Sequence, residues 1–65
     1  MFKEYDVVEL AEDLDEHLRA GTRGAIVMVY GTEPPEYEVE FNDPAGTALI
    51  VRTVAERQLR KDSDV

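Results

Sequence analysis

Catalysis needs a nucleophile, a paired acid and base, or a bound metal ion, and few residues of this chain can serve in those roles. His17 is the sole histidine, cysteine is absent, and the sole serine, Ser63, falls in the polar stretch Asp62-Ser63-Asp64-Val65, expected to fray at the chain end. A Ser-His-Asp arrangement would have to draw its nucleophile from that tail, and thiolate chemistry is excluded. Carboxylates, by contrast, are plentiful. Glu12, Asp13, Asp15, Glu16 and His17 offer oxygen and nitrogen donors close together, yet the run lacks the glycine and the distal glutamate of an EF-hand calcium loop. The plainer reading is a solvated acidic loop with no metal and no cofactor, and the chain is not expected to be an enzyme.

Such carboxylates are better suited to recognition. Fifteen acidic against seven basic residues give a formal net charge of -8. Within the first twenty residues Glu4, Asp6, Glu9, Glu12, Asp13, Asp15 and Glu16 are opposed only by Lys3 and Arg19. This charge repels phosphate backbones and anionic lipid, since non-specific nucleic-acid binding rests on counterion release by Lys and Arg. Arg52, Arg57, Arg60 and Lys61, late in the chain, form too small a basic group to reverse that. The acidic surface either solubilises the protein or meets a basic partner. In the second case the contact residues are Glu12, Asp13, Asp15 and Glu16, with Glu38 and Glu40.

The elements that must position these groups belong to one small domain, residues 1–61, in a chain of 65 residues. A domain of this size buries roughly 60% of the surface its unfolded chain exposes, and without cysteine no disulfide reinforces the core. The start, Met1-Phe2-Lys3-Glu4-Tyr5-Asp6, is unlike a signal peptide, and no apolar run nears the roughly 20 residues that span a bilayer. A cytoplasmic protein is expected.

Ala25 to Tyr30 is a continuous apolar run bounded by Gly24 and Gly31, short and rich enough in β-branched residues to predict a buried strand. Thr32-Glu33-Pro34-Pro35-Glu36 reads as the loop after it. Tyr37-Glu38-Val39-Glu40-Phe41 alternates strictly, sending Tyr37, Val39 and Phe41 to the core and both glutamates outward. There the glutamates' plain use is to block edge-to-edge aggregation. Asn42-Asp43-Pro44-Ala45-Gly46 predicts a hairpin turn, with a proline of fixed φ and a glycine at positive φ. Ala48 to Thr53 returns as a strand, with either Leu49 or Ile50 facing the core. Thr53-Val54-Ala55-Glu56 fits a capping box and predicts one helical turn, and Leu59 anchors a short closing strand. Val7 to Leu18 is ambiguous: Val7, Leu10 or Ala11, Leu14 and Leu18 fall at helical spacing, but Asp6-Val7-Val8-Glu9-Leu10 is an acceptable strand. A strand followed by an acidic loop is preferred, because carboxylates stacked at i and i+4 with few basic partners would destabilise a helix. Tyr5-Asp6 faintly resembles the start of a proline-peptide groove, but there is no tryptophan and Phe2, Tyr30, Tyr37 and Phe41 are all usable as core.

Arg19-Ala20-Gly21-Thr22-Arg23-Gly24-Ala25-Ile26-Val27 has the G-x-x-G-x-[VI] cadence found where the second strand of many SH3-like barrels begins, KOW-type domains included. Gly21 would supply a positive φ and Gly24 a close backbone approach. Together with Tyr5-Asp6-Val7-Val8, Tyr37 to Phe41 and Gln58-Leu59-Arg60, the chain up to Arg60 resembles a family of short bacterial proteins known as domain of unknown function 4926. The resemblance implies a mostly β fold, a small five-stranded SH3-like barrel with one short helical turn before the last strand. It also implies that residues 7–10 form a strand, and it brings no catalytic residues. The family tends to carry a proline in the acidic loop, where this chain reads Leu14-Asp15-Glu16-His17-Leu18, leaving room for a short helical turn.

The leading expectation is a non-catalytic acidic interaction module. It would bind a protein with a basic surface, such as one encoded by a neighbouring gene, in the manner of an antitoxin, an immunity factor or a small regulatory subunit. The alternatives are a KOW-like nucleic-acid or ribosome-associated protein, by analogy with the fold only, and a structural homo-oligomer.

Overall fold

The computed structural model describes residues 1–43, 45–46 and 48–62. Strand β1 spans Val7–Leu10, β2 Arg23–Tyr30, β3 Glu36–Asn42, β4 Leu49–Ala55 and β5 Leu59–Lys61, and a 3-10 turn, Glu56–Gln58, joins the last two. All pairings are antiparallel, in the order β4-β3-β2-β1-β5.

The short link between β4 and β5 forces the sheet to roll. Those strands are opposite edges, and five strands about 4.8 Å apart would separate the edges of a flat sheet by about 19 Å. From Ala55 to Leu59 the chain reaches about 14 Å at most. Rolling brings one face inward, and Val8, Leu10, Leu18, Ile26, Tyr37, Val39, Phe41, Val54 and Leu59 fill it.

β3 behaves as its alternation predicts: Tyr37, Val39 and Phe41 are fully buried, and Glu38 and Glu40 leave the other face. In β4 the choice goes to Ile50, which is paired with Phe41 and packs on the core, while Leu49 is exposed. In the hairpin between them Gly46 has φ +71° and its N–H donates to the Asp43 carbonyl, as the turn requires; the expectation for Pro44 lies outside the described residues.

The buried-strand expectation for Ala25 to Tyr30 is corrected. Ile26 opposes Val39 and Val29 opposes Tyr37, with a β-bulge between Ile26 and Met28. One extra residue in a strand exchanges its faces. Val29 therefore turns to the core, and Met28 and Tyr30, which would have followed Ile26 inward by simple alternation, stand outside at 45% and 41% exposure.

The capping box is corrected too. The sheet register carries β4 through Ala55, opposite Glu36, so Thr53 and Val54 remain strand residues. Ala55 precedes the 3-10 turn, and the Gln58 side chain accepts from the Ala55 N–H at 2.9 Å, the role expected of Glu56.

Residues 7–10 are a strand, as the resemblance implies, and no helical turn forms in the acidic loop. The Leu14 N–H donates to the Leu18 carbonyl, opposite in direction to a helical bond, and closes the loop on itself. Leu14 and Leu18 recur at helical spacing because both anchor this loop to the core, Leu18 being fully buried. At the other end Asp62 is buried and ion-paired with Arg23, so the described chain stays packed through residue 62; Ser63 to Val65 lie outside the described residues.

Candidate interaction surface

The two glycines of the G-x-x-G cadence shape the β1–β2 corner. Gly21 has φ +90°, and its N–H donates to the Leu10 carbonyl where the acidic loop rejoins the sheet. Gly24, between Val8 and Phe41, has no room for a side chain: a Cβ there would stand 2.7 Å from the Phe41 ring and 2.8 Å from a Val39 methyl.

The acidic loop leaves at Leu10 and returns at Gly21, and two of its carboxylates hold it in shape. Asp15 Oδ1 accepts from the N–H groups of His17 and Leu18, both at 2.8 Å, and its Oδ2 lies 3.6 Å from Arg52. Asp13 accepts from the Ala20 N–H at 2.7 Å and pairs with Arg19 at 3.0 Å. Hydrogen bonds from backbone N–H groups favour the charged form, so both carboxyls sit below the usual aspartate range. Glu12 and Glu16 remain exposed to solvent. Among the described residues no group of three or more His, Asp or Glu is gathered as metal ligands, His17 included.

Glu38 and Glu40 belong to a different surface. Arg52, which the loop reaches, is paired with Val39 and starts from the core side of β4, whereas the two glutamates leave the outer face of β3. The fold thus does not join the six expected contact residues into one patch. Nor can the glutamates guard a sheet edge, because β3 is internal, paired with β2 on one side and β4 on the other.

Around them the outer face is apolar. Glu40 lies between Ala25 and Val51, Glu38 between Met28 and Thr53, and Glu36 between Tyr30 and Ala55. Met28, Tyr30, Leu49 and Val51 are 41–61% exposed. The Tyr30 hydroxyl donates to Glu38 at 3.1 Å, and this bond to a carboxylate raises the phenol above its ordinary value. A shallow groove of about 300 Å³ crosses the face beside Val7, Ala25, Glu40, Asn42 and Leu49. Sequence reasoning missed this exposure because the apolar run in β2 reads as core, and the bulge that turns Met28 and Tyr30 outward has no marker such as a glycine at Val27.

The basic residues are largely balanced. Arg60 pairs with Glu9 at 2.7 Å across β1 and β5, and Arg52 with Asp15, so half of the small late-chain basic group is engaged by carboxylates. A second polar cluster lies over the core: the Tyr37 hydroxyl accepts from the Phe2 N–H at 3.0 Å and donates to Glu56 at 2.6 Å, with the Phe2 ring edge-on to Tyr37. Burial, then the Glu56 carboxylate, raises the Tyr37 phenol, and the same hydrogen bond lowers Glu56.

Strand order, rolling and the turn before the last strand define a small SH3-like β-barrel without a true helix among its described residues. A family model described as domain of unknown function (DUF4926) matches residues 4–61, and the chain belongs to that family. No curated protein and no solved structure matches it. No helix among the described residues is long and apolar enough to cross a membrane.

Proposed function

We propose that this barrel is a non-catalytic interaction module of the cytoplasm that binds a protein partner through its acidic surface. The observation that carries the reading is the outer sheet face, where carboxylates stand among exposed apolar side chains on an internal strand. Solubility alone requires charge but no exposed apolar neighbours, and those neighbours are what a protein contact desolvates. The net charge of -8 favours a basic partner and raises the rate of encounter with one. An antitoxin, an immunity factor and a small regulatory subunit are the kinds of protein that work in this way without chemistry of their own. A cysteine-free chain suits a reducing compartment.

Affinity isolation with the tagged full chain, at low and moderate salt, tests the proposal. The expected result is a stoichiometric protein with a basic contact surface whose retention falls as salt rises. Recovery of none in either condition, or a salt-dependent gel shift with RNA or duplex DNA, would replace this reading with another.

A further inference from the structure

We infer that the docking face is the outer surface of β2, β3 and β4, not the acidic loop, and that its ligand is an extended protein segment with arginine or lysine at every second position. The inference rests on the reading of the chain as an acidic protein-binding module and names the surface and the partner's chemistry.

The loop is a weak candidate because its carboxylates are divided. Asp13 and Asp15 are committed to the loop's own backbone and to Arg19 and Arg52, which leaves Glu12 and Glu16 as its exposed carboxylates, Glu16 lying 3.9 Å from His17. On β3, Glu36, Glu38 and Glu40 project from one face at every second residue, about 7 Å apart. Of these, Glu36 and Glu40 make no ion pair or side-chain hydrogen bond to any described residue. Met28 and Tyr30 flank the row on β2, and Leu49 and Val51 on β4.

Arginine and lysine match this pattern, since each carries an apolar stem and a cationic head. The stems lie along Met28 and Val51 while the heads reach the carboxylates, and a guanidinium over Tyr30 gains a cation–π contact. An extended segment repeats its side chains at the same period of two as the glutamates it faces. A second copy of this chain does not fit: face-to-face pairing would oppose the glutamate rows of two molecules that each carry a net charge of -8. Three strands of about seven residues offer a face of about 24 by 14 Å, which suits a short segment better than a whole domain.

The test is NMR titration of the full chain with a nine-residue peptide alternating arginine and serine. A peptide alternating lysine with serine serves as a second cationic probe, and one alternating glutamate with serine as the control. Shift changes are expected at Ala25, Met28, Tyr30, Glu38, Glu40 and Val51. Glu38→Gln combined with Glu40→Gln, and Met28→Thr combined with Val51→Thr, should each weaken binding at least tenfold, with an unchanged fold verified from the free spectra. Glu12→Gln combined with Glu16→Gln should leave affinity within twofold. Binding that maps to residues 11–20, or that the loop variant weakens as much as the sheet variant, would overturn this inference while sparing the proposed function. Unchanged affinity of the Met28→Thr, Val51→Thr variant would overturn the apolar part of the recognition. Failure of every cationic peptide to bind anywhere would overturn the proposed function as well.

Discussion

Gly24 is the position where a single atom should matter most. Adding a methyl group drives it against the Phe41 ring, a Val39 methyl and, at 2.9 Å, the Glu40 carbonyl, and the backbone contact cannot rotate away. Gly24→Ala is expected to cost about 1–3 kcal/mol, the usual range for overpacking a filled core. Urea unfolding measures it, and a variant as stable as the parent would refute the packing argument. Tyr37 contributes a hydroxyl at the centre of a hydrogen-bonded chain from Phe2 to Glu56. Tyr37→Phe keeps the ring and removes both bonds, so a loss of about 1–2 kcal/mol is expected in the same measurement. The Glu56 carboxyl should then titrate at a higher pH, because the hydroxyl that stabilises its charged form is gone.

The acidic loop is an element built from its own charges, and its stability should follow their titration. Asp13 and Asp15 lie below the ordinary aspartate value of 3.8, and Glu56 below the ordinary glutamate value of 4.5. A carboxyl with a lowered folded pKa holds protons less tightly folded than unfolded. Its contribution is therefore complete above the unfolded value and is lost as pH falls through the folded one. The thermal midpoint should be flat, with respect to these groups, from neutral pH down to about 5 and decline below about 4. Circular dichroism melts across that range check the shape. Asp15→Asn retains an acceptor oxygen for the His17 and Leu18 N–H groups but has nothing to protonate, so the decline should become shallower. A profile identical to the parent's would show that Asp15 does not contribute.

At the scale of the whole molecule, a thin core must hold a rolled sheet without a disulfide. Folding depends on a few large side chains, and Leu18 shows how far that dependence reaches: a loop residue supplies a fully buried part of the core. Leu18→Ala is expected to cost about 2–5 kcal/mol, enough to unfold a substantial fraction of so small a domain. Calcium or zinc at millimolar excess should leave the melting temperature nearly unchanged, since Asp13 and Asp15 already face backbone N–H groups and arginines, and Glu12 and Glu16 are not gathered with them as a ligand set. A large, saturable rise would contradict that assignment of the loop.

Local pattern was enough to determine much of this protein. The alternation from Tyr37 to Phe41, the glycines at 21 and 46 and the break at Pro34-Pro35 each reflect a constraint within a few residues, and each is met in the fold. At the first strand the apolar spacing suited a helix, repulsion between stacked carboxylates favoured a strand, and family resemblance decided for the strand. Three outcomes required the tertiary structure, because each depends on partners distant in sequence. The bulge that exposes Met28 and Tyr30 comes from fitting β2 to β3. The displaced turn comes from β4 pairing with β3 through Ala55. The separation of the acidic residues into a self-bonded loop and an outer face comes from strand order, which makes β3 internal and sets its glutamates opposite the side that Asp15 reaches through Arg52. Charge and composition are sums over residues and can be read from the chain. Which charges share a surface is a property of the rolled sheet.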